Sequence, residues 1–91
     1  MAAYVDPLMK HPVSSAWRWG WACHLTADTE TELHAFAAKI GMKRAWFQPH
    51  ALLPHYDLTP FRRQAAINAG AIEITHRATY ARIKARRGAN L

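Results

Sequence analysis

The stretch from Asp28 to Gly41, DTETELHAFAAKIG, constrains the fold most because it carries the signals for both ends of one helix. Asp28 or Thr29 can cap the first turn, and Glu32 stands three residues after Thr29, which is the spacing of a capping box. Apolar side chains recur at helical spacing and form one stripe: Leu33, Phe36, Ala37 and Ile40. The stretch therefore predicts an amphipathic helix that covers another layer of structure.

A second helix is indicated by Thr59 and Pro60, since threonine is a suitable cap and proline suits the first helical position. It is expected to end near Ala69, before Gly70. Strand-length apolar runs surround both helices: Tyr4-Val5, Trp21 to Leu25, Ala45 to Phe47 and Ala71 to Ile74. This order predicts an α/β fold with a small three- to four-stranded, mostly parallel sheet built from consecutive βαβ units, because such crossovers join parallel strands.

The basic charge is concentrated near the C-terminus. Residues 77–91 contain five basic residues and no acid, whereas residues 1–76 contain seven basic and six acidic residues. We therefore divide the chain into an α/β domain over residues 1–76 and a basic C-terminal helix or tail over residues 77–91. The tail can be a solvated face, or it can bind nucleic acid or a host protein through its cations: Arg77, Arg82, Lys84, Arg86 and Arg87.

Length, hydropathy and cysteine content exclude several classes of protein. The 91 residues suffice for one small domain, and no apolar run is long enough to span a bilayer, so no membrane partner is expected. The N-terminus lacks the pattern of a secretory signal, and Cys23, the one cysteine, permits no internal disulfide. These features favour the cytoplasm, and Cys23 is expected to be buried and inert.

Aromatic side chains alternate in residues 17–25, WRWGWACHL. If this run is extended, alternate side chains share one apolar face: Trp17, Trp19, Trp21, Cys23 and Leu25. Arg18 is the only cation between Lys10 and Lys39, whereas base-stacking surfaces have several cations beside their rings. Core packing, or a lid over the sheet, is the expected role. A base-stacking surface, a partner surface and a homo-oligomer interface are the alternatives.

Polar residues follow the predicted strands. Ligands of open α/β sheets bind beyond the carboxyl ends of the strands, where this chain is expected to place Asp6, His24, Asp28, Gln48, His50, His55, Tyr56 and Asp57. A helix N-terminus with nearby arginines can bind phosphate or carboxylate. We therefore predict a pocket for a small anionic or nucleotide-like ligand, with these binding residues: Asp6, Gln48, Tyr56, Arg62 and Arg63.

Catalysis would depend on the histidines and carboxylates of this pocket. If the protein is an enzyme, hydrolysis is the expected reaction, with His55 or Asp57 as general base and His24 beside them. A divalent metal is the cofactor that two imidazoles and two carboxylates suit, with zinc, manganese or iron bound by Asp6, His24, His55 and Asp57. The alternative is a set of separate, hydrogen-bonded residues in which Asp57 precedes or caps the helix.

Five segments of the sequence resemble those of one family: YVD (4–6), CHLTADTETELHAFAAKIG (23–41), AWFQ (45–48), PHYDLT (54–59) and NAGAIEIT (68–75). Together they resemble domain-of-unknown-function family 4031 (DUF4031), a family of small phage and bacterial proteins. The resemblance covers about residues 4–77. It implies a single-domain protein of phage or bacterial origin, and it brings no activity, cofactor or catalytic residue.

Overall fold

Six strands and three α-helices form within residues 2–89, the part of the chain that the computed structural model describes. The elements in chain order are β1 (Ala3–Val5), β2 (Met9–Lys10), β3 (Trp21–Ala27), α1 (Glu30–Lys39), a 3₁₀ turn (Arg44–Trp46), β4 (Phe47–Gln48), β5 (His55–Leu58), α2 (Pro60–Asn68), β6 (Ile72–Glu73) and α3 (His76–Ala89). Asn90 and Leu91, the end of the predicted tail, lie outside the described residues.

Both capped helices form where the sequence predicts them. The Thr29 hydroxyl caps α1 by accepting a hydrogen bond from the Glu32 N–H at 3.1 Å. The Thr59 hydroxyl caps α2 in the same way, with the Arg62 N–H as donor at 3.1 Å. Each bond satisfies an amide that has no partner inside its own helix. The two predicted helices are therefore confirmed.

The sheet is mixed, so the expectation of a mostly parallel sheet is wrong, and consecutive βαβ units are not confirmed. The strand order is β4-β5-β3-β1-β6, with β2 also beside β3. Among the described pairs, only β1 and β6 are parallel. Helix α1 joins β3 to β4 and α2 joins β5 to β6, and each helix connects strands that point the same way. The prediction failed because an antiparallel strand lies between the two strands that each helix joins: β5 between β3 and β4, and β3 between β5 and β6.

Residues 55–58 were expected to lie beyond the end of a strand, but they form a strand themselves, β5. Its side chains alternate, with Tyr56 and Leu58 buried on one face and His55 and Asp57 on the other. The strand pairs with β3, where Asp57 stands opposite His24. His24 therefore lies within a strand rather than at its end, and this moves the predicted site from the carboxyl edge of the sheet to one of its faces.

The hydrophobic core lies between one face of the sheet and the helices α1 and α2. It includes Val5, Cys23, Leu25, Leu33, Ala37, Tyr56, Leu58 and Ala66. The burial of Cys23 is confirmed, and burial raises the pKa of its thiol to about 12. The expected core packing is wrong for Trp19 and Trp21: β3 begins only at Trp21, and these two side chains are 48% and 43% exposed.

Helix α3 packs on the opposite face of the sheet. Arg82 donates hydrogen bonds to the Thr26 hydroxyl and the Ala27 carbonyl, and its guanidinium lies 4.5 Å from the centre of the Tyr4 ring. Thr79 of the same helix is buried. The division of the chain at residue 76 stays a prediction, but these contacts join α3 to the sheet. None of the helices in the described part of the chain is long and apolar enough to cross a membrane.

Replacing Thr29 with alanine removes the side-chain cap of α1 and should lower the free energy of unfolding by about 1 kcal/mol, measured by urea denaturation. Thr31→Ala is the matched control, because Thr31 is an exposed position inside the same helix. Alanine favours helix there, so this control should leave the stability unchanged or slightly raised. Equal losses in the two variants would show that the cap contributes nothing.

Candidate metal centre

A bulge in the first part of the chain positions the Asp6 carboxylate. Strands β1 and β2 both pair antiparallel with β3. Three residues separate Val5 of β1 from Met9 of β2, whereas two residues separate their partners on β3, Leu25 and Ala22. The extra residue falls within Asp6, Pro7 and Leu8, and Pro7 has no N–H to contribute to a ladder. Oδ1 of the Asp6 side chain instead accepts a hydrogen bond from the backbone N–H of His24, with the nitrogen 2.7 Å away.

The Asp6 carboxylate also holds the ring of His24. Its Oδ2 lies 2.8 Å from Nδ1 of His24. An ionised carboxylate can only accept, so Nδ1 carries the proton and Nε2 is the ring nitrogen left for a ligand. Asp6 is 2% exposed, and its Oδ2 lies 3.5 Å from the Thr79 hydroxyl and 3.8 Å from Nδ1 of His76. Arg63 donates to the Asp6 main-chain carbonyl at 2.9 Å.

The pKa values of this pair move in opposite directions. Burial by itself raises the pKa of Asp6, but the hydrogen bonds from the His24 ring and backbone and the nearby His76 outweigh it, so the pKa lies below its ordinary value. The hydrogen bond to Asp6 raises the pKa of His24 above its ordinary value, against the effect of burial. Both shifts favour an imidazolium–carboxylate pair when no metal is bound.

His55 is held in a similar way by a different acceptor. Its Nδ1 lies 2.7 Å from the Leu53 carbonyl, which can only accept, so Nδ1 is the donor and Nε2 faces Asp57 Oδ1 at 3.5 Å. The hydrogen bond with His55 is the largest cause that lowers the pKa of Asp57, and burial opposes it. Nε2 of His55 and Oδ1 of Asp57 thus face each other as two atoms that can bind the same cation.

His24, His55 and Asp57 converge on one face of the sheet. The two imidazole rings are edge to face with centres 4.8 Å apart. One ligand atom from each of the three residues lies within 4.8 Å of the other two. Ligand atoms around a tetrahedral ion stand roughly 3.4 Å apart when the bonds are about 2.0–2.2 Å long. Small side-chain rotations would therefore close the cluster on an ion, and three ligands would leave one position open.

The other predicted metal ligand and the predicted tyrosine lie elsewhere. Asp6 is outside the cluster of three and contacts it through Nδ1 of His24. Tyr56 is buried on the opposite face of the sheet, with its hydroxyl 2.9 Å from Nδ1 of His34. Asp28 accepts a hydrogen bond from the Tyr4 hydroxyl beyond the far end of β3. Sequence neighbours such as Tyr56 and Asp57 are separated because strand side chains alternate.

Both predicted anion-binding arginines contact the main chain. Arg62 donates to the Ile40 carbonyl at 2.6 Å, and Arg63 donates to Asp6 and also to the Glu73 carboxylate at 3.2 Å. Gln48 is exposed at the edge of the sheet, where it pairs with His55 in the β4–β5 ladder. The structure therefore brings Gln48 near the cluster and uses the arginines to connect α2 with the rest of the fold.

Two concave regions adjoin the cluster. A cavity of about 250 Å³ is lined in part by His24, Asp57, Lys10 and His11. A groove of about 740 Å³ lies beside it, and both regions share His11 and Asp57. Lys10 and His11 were not predicted to belong to the site. Strand β2 contains two residues only, so no alternating pattern in the sequence marks it.

A sequence model of one family matches residues 3–86, and the family is described as a protein of unknown function (DUF4031). This match is longer than the resemblance over about residues 4–77 and includes most of α3. Comparisons with curated proteins and with solved structures found no match.

The contribution of the Asp6–His24 pair to stability should depend on pH. The pKa of His24 is raised in the folded state. The contribution of this histidine to the free energy of unfolding is therefore complete below the ordinary value of 6.5, and it is lost as the pH rises through the pKa of the folded state. The pKa of Asp6 is lowered in the folded state. The contribution of this carboxylate to the free energy of unfolding is therefore present above pH 3.8, and it is lost as the pH falls through the pKa of the folded state.

The measurement is urea unfolding of the wild type and of His24→Gln over a series of pH values in the presence of a chelator. The difference in free energy of unfolding between the two proteins should be largest between pH 3.8 and 6.5 and should decrease on both sides. A difference that does not change with pH would contradict an ion pair between Asp6 and His24.

Proposed function

The chain belongs to the DUF4031 family, whose description assigns no activity, and we propose that it is a metal-dependent hydrolase of a small anionic or nucleotide-like ligand. His24, His55 and Asp57 would bind one divalent ion, and Asp6 would orient His24. The supporting observation is that Nδ1 of each histidine bonds an acceptor, which leaves Nε2 for a ligand. Histidines that bind metals almost always make this second hydrogen bond.

The composition of the cluster supports catalysis rather than a structural role for the ion. Structural zinc sites are closed by four protein ligands, whereas catalytic sites keep a position for water or substrate. Two imidazoles and one carboxylate suit zinc, manganese or iron. Such an ion lowers the pKa of a bound water molecule and stabilises the negative charge that develops on the substrate.

The chain's own residues would supply binding and orientation. The cavity of about 250 Å³ adjoins His24 and Asp57, so a small substrate can reach the centre. Lys10 lines this cavity and provides a positive charge for an anionic ligand. The buried Asp6 would stabilise positive charge on the His24 ring and hold that ring in one tautomer.

A second candidate function is the binding of nucleic acid or a host protein through α3. The observation that favours it is the exposure of four cations on this helix, Arg77, Lys84, Arg86 and Arg87, whereas Arg82 packs on the sheet. Binding of this kind should weaken steeply with salt and should be lost when the exposed arginines are reversed in charge.

Metal binding can be measured directly by titrating Zn²⁺ into metal-stripped protein in a calorimeter. The wild type should bind one ion per chain, and His55→Ala should weaken binding by more than about 100-fold, because it removes a ligand rather than a supporting residue. Asp57→Asn should weaken it for the same reason. Circular dichroism should show that both variants remain folded.

His34→Ala is the matched control, since His34 lies against Tyr56 on the opposite face of the sheet. It should bind Zn²⁺ as tightly as the wild type does. A wild type that binds no Zn²⁺, or a His55→Ala variant that binds it equally well, would contradict the proposed centre.

The supporting role of Asp6 makes a separate prediction. Asp6→Asn keeps the shape of the side chain and all three proposed ligands, but it removes the charge that orients His24. The Zn²⁺ affinity should decrease by about 10- to 100-fold while the stoichiometry stays at one ion per chain. An unchanged affinity in a folded Asp6→Asn variant would show that Asp6 acts on the fold alone.

A further inference from the structure

Several aromatic side chains outside the hydrophobic core line the groove beside the proposed metal centre. Four rings contribute to this groove of about 740 Å³: Trp17, Trp19, Trp46 and Phe61. Trp46 is 44% exposed and Phe61 is 80% exposed, in addition to the exposed Trp19. Single exposed apolar side chains are ordinary, but large rings gathered around one concave surface mark a binding site.

The loop between β2 and β3 holds its tryptophans in place. The Trp17 indole N–H donates to the Trp21 carbonyl at 3.0 Å. The Trp17 ring lies edge to face with Trp19, with ring centres 4.9 Å apart. Trp46 reaches the groove from the 3₁₀ turn, and Phe61 reaches it from the first turn of α2. These rings therefore come from three separate parts of the chain and form walls that are present before a ligand binds.

Cations accompany the rings of the groove. The guanidinium of Arg18 lies 6.0 Å from the Trp19 ring centre, and the ammonium of Lys43 lies 5.5 Å from the Trp46 ring centre. Both side chains are exposed. Among the described residues that line the groove, Asp57 is the only acid, and it belongs to the proposed metal centre. The groove thus has flat apolar surfaces, and positive charge lies against two of its rings.

The remaining acids of the chain do not line the groove, and Asp6 among them is bonded to His24 in the adjoining cavity. Asp28 and Glu32 contact residues of the N-terminal segment, and Glu30 contacts His34 on the opposite face of the sheet. Glu73 pairs with Arg63. A ligand in the groove therefore meets aromatic rings and cations, which complements a polyanion that carries flat rings of its own.

We propose that the groove binds single-stranded nucleic acid, with bases stacked on Trp19, Trp46 and Phe61 and phosphates near Arg18 and Lys43. Proteins that bind single strands combine stacking rings with a basic groove in this way. A double helix fits the groove poorly, because its bases are already stacked and paired. The groove and the cavity share Asp57, so a bound strand would pass the proposed metal centre.

This inference rests on the proposed hydrolase function and names its substrate, a phosphodiester of a single strand. In the reaction, the oxygen of a water molecule bonds to phosphorus while the bond from phosphorus to the leaving sugar oxygen breaks. One proton of the water moves to the leaving oxygen. One fragment then ends in a phosphate monoester and the other in a hydroxyl, and no oxidant or reductant is needed.

Binding is measured first, without metal, by the fluorescence anisotropy of a labelled oligothymidylate of about 12 nucleotides in the presence of a chelator. Trp46→Ala should weaken binding by about 5- to 150-fold, the range expected for the loss of one base–aromatic stack. Tyr80→Ala is the matched control, because Tyr80 is exposed on α3 and has the Lys84 ammonium 5.8 Å from its ring centre. The control should bind as the wild type does.

Three results of the binding experiment would overturn the inference. The first is a wild type that binds no oligothymidylate, and the second is a wild type that binds a duplex as tightly as a single strand. The third is binding that survives Trp46→Ala but is lost in an Arg86→Glu, Arg87→Glu double variant, which would assign the binding to α3 instead.

Cleavage of the same oligonucleotide is then measured after the addition of Zn²⁺ or Mn²⁺. Cleavage by the wild type and its loss in His55→Ala, with binding retained, would support both the groove and the hydrolase. Binding that depends on Trp46 without cleavage would support the groove and contradict its role in a hydrolase. Zn²⁺ binding by a protein that does not bind the oligonucleotide would overturn the groove alone.

Discussion

The buried carboxylate of Asp6 is the group on which the fold and the candidate site both depend. It bonds the backbone and ring of His24, and it lies close to Thr79 and His76 of α3. A carboxylate that is 2% exposed is stable only when it is paired and hydrogen-bonded, so the bulge, β3 and the start of α3 must be in place together. The same bonds hold the His24 ring so that Nε2 is left for a ligand. One side chain therefore links the packing of α3 to the geometry of the proposed metal centre.

The sequence was most informative where the interactions are local. The helix caps at Thr29 and Thr59 involve an amide three residues away, so the sequence alone was sufficient to predict them. The sheet order depends on contacts between distant segments. Nothing near His55 indicates that β5 inserts between β3 and β4, where it runs antiparallel to both. His24, His55 and Asp57 were proposed as neighbours because they were expected at strand ends, but they meet because Asp57 pairs directly with His24 across two antiparallel strands.

The tryptophans show how one backbone feature changes the interpretation of a pattern. Alternation would place Trp17 and Trp19 on the core face if the strand extended through them. Gly20 instead adopts a positive φ of 72°, and the strand begins after it, so both rings belong to a loop. Their alternation therefore says nothing about burial. The position of Trp46 and Phe61 across the groove depends on tertiary packing, and no local pattern in the sequence indicates it.

The most direct measurement is a crystal structure of the zinc-loaded protein, with anomalous diffraction recorded on both sides of the zinc absorption edge. We expect one strong anomalous peak bonded to Nε2 of His24, Nε2 of His55 and the Asp57 carboxylate, with Asp6 still bonded to Nδ1 of His24. A folded protein with no peak at these three residues, or with zinc bound to other histidines, would contradict the proposed centre.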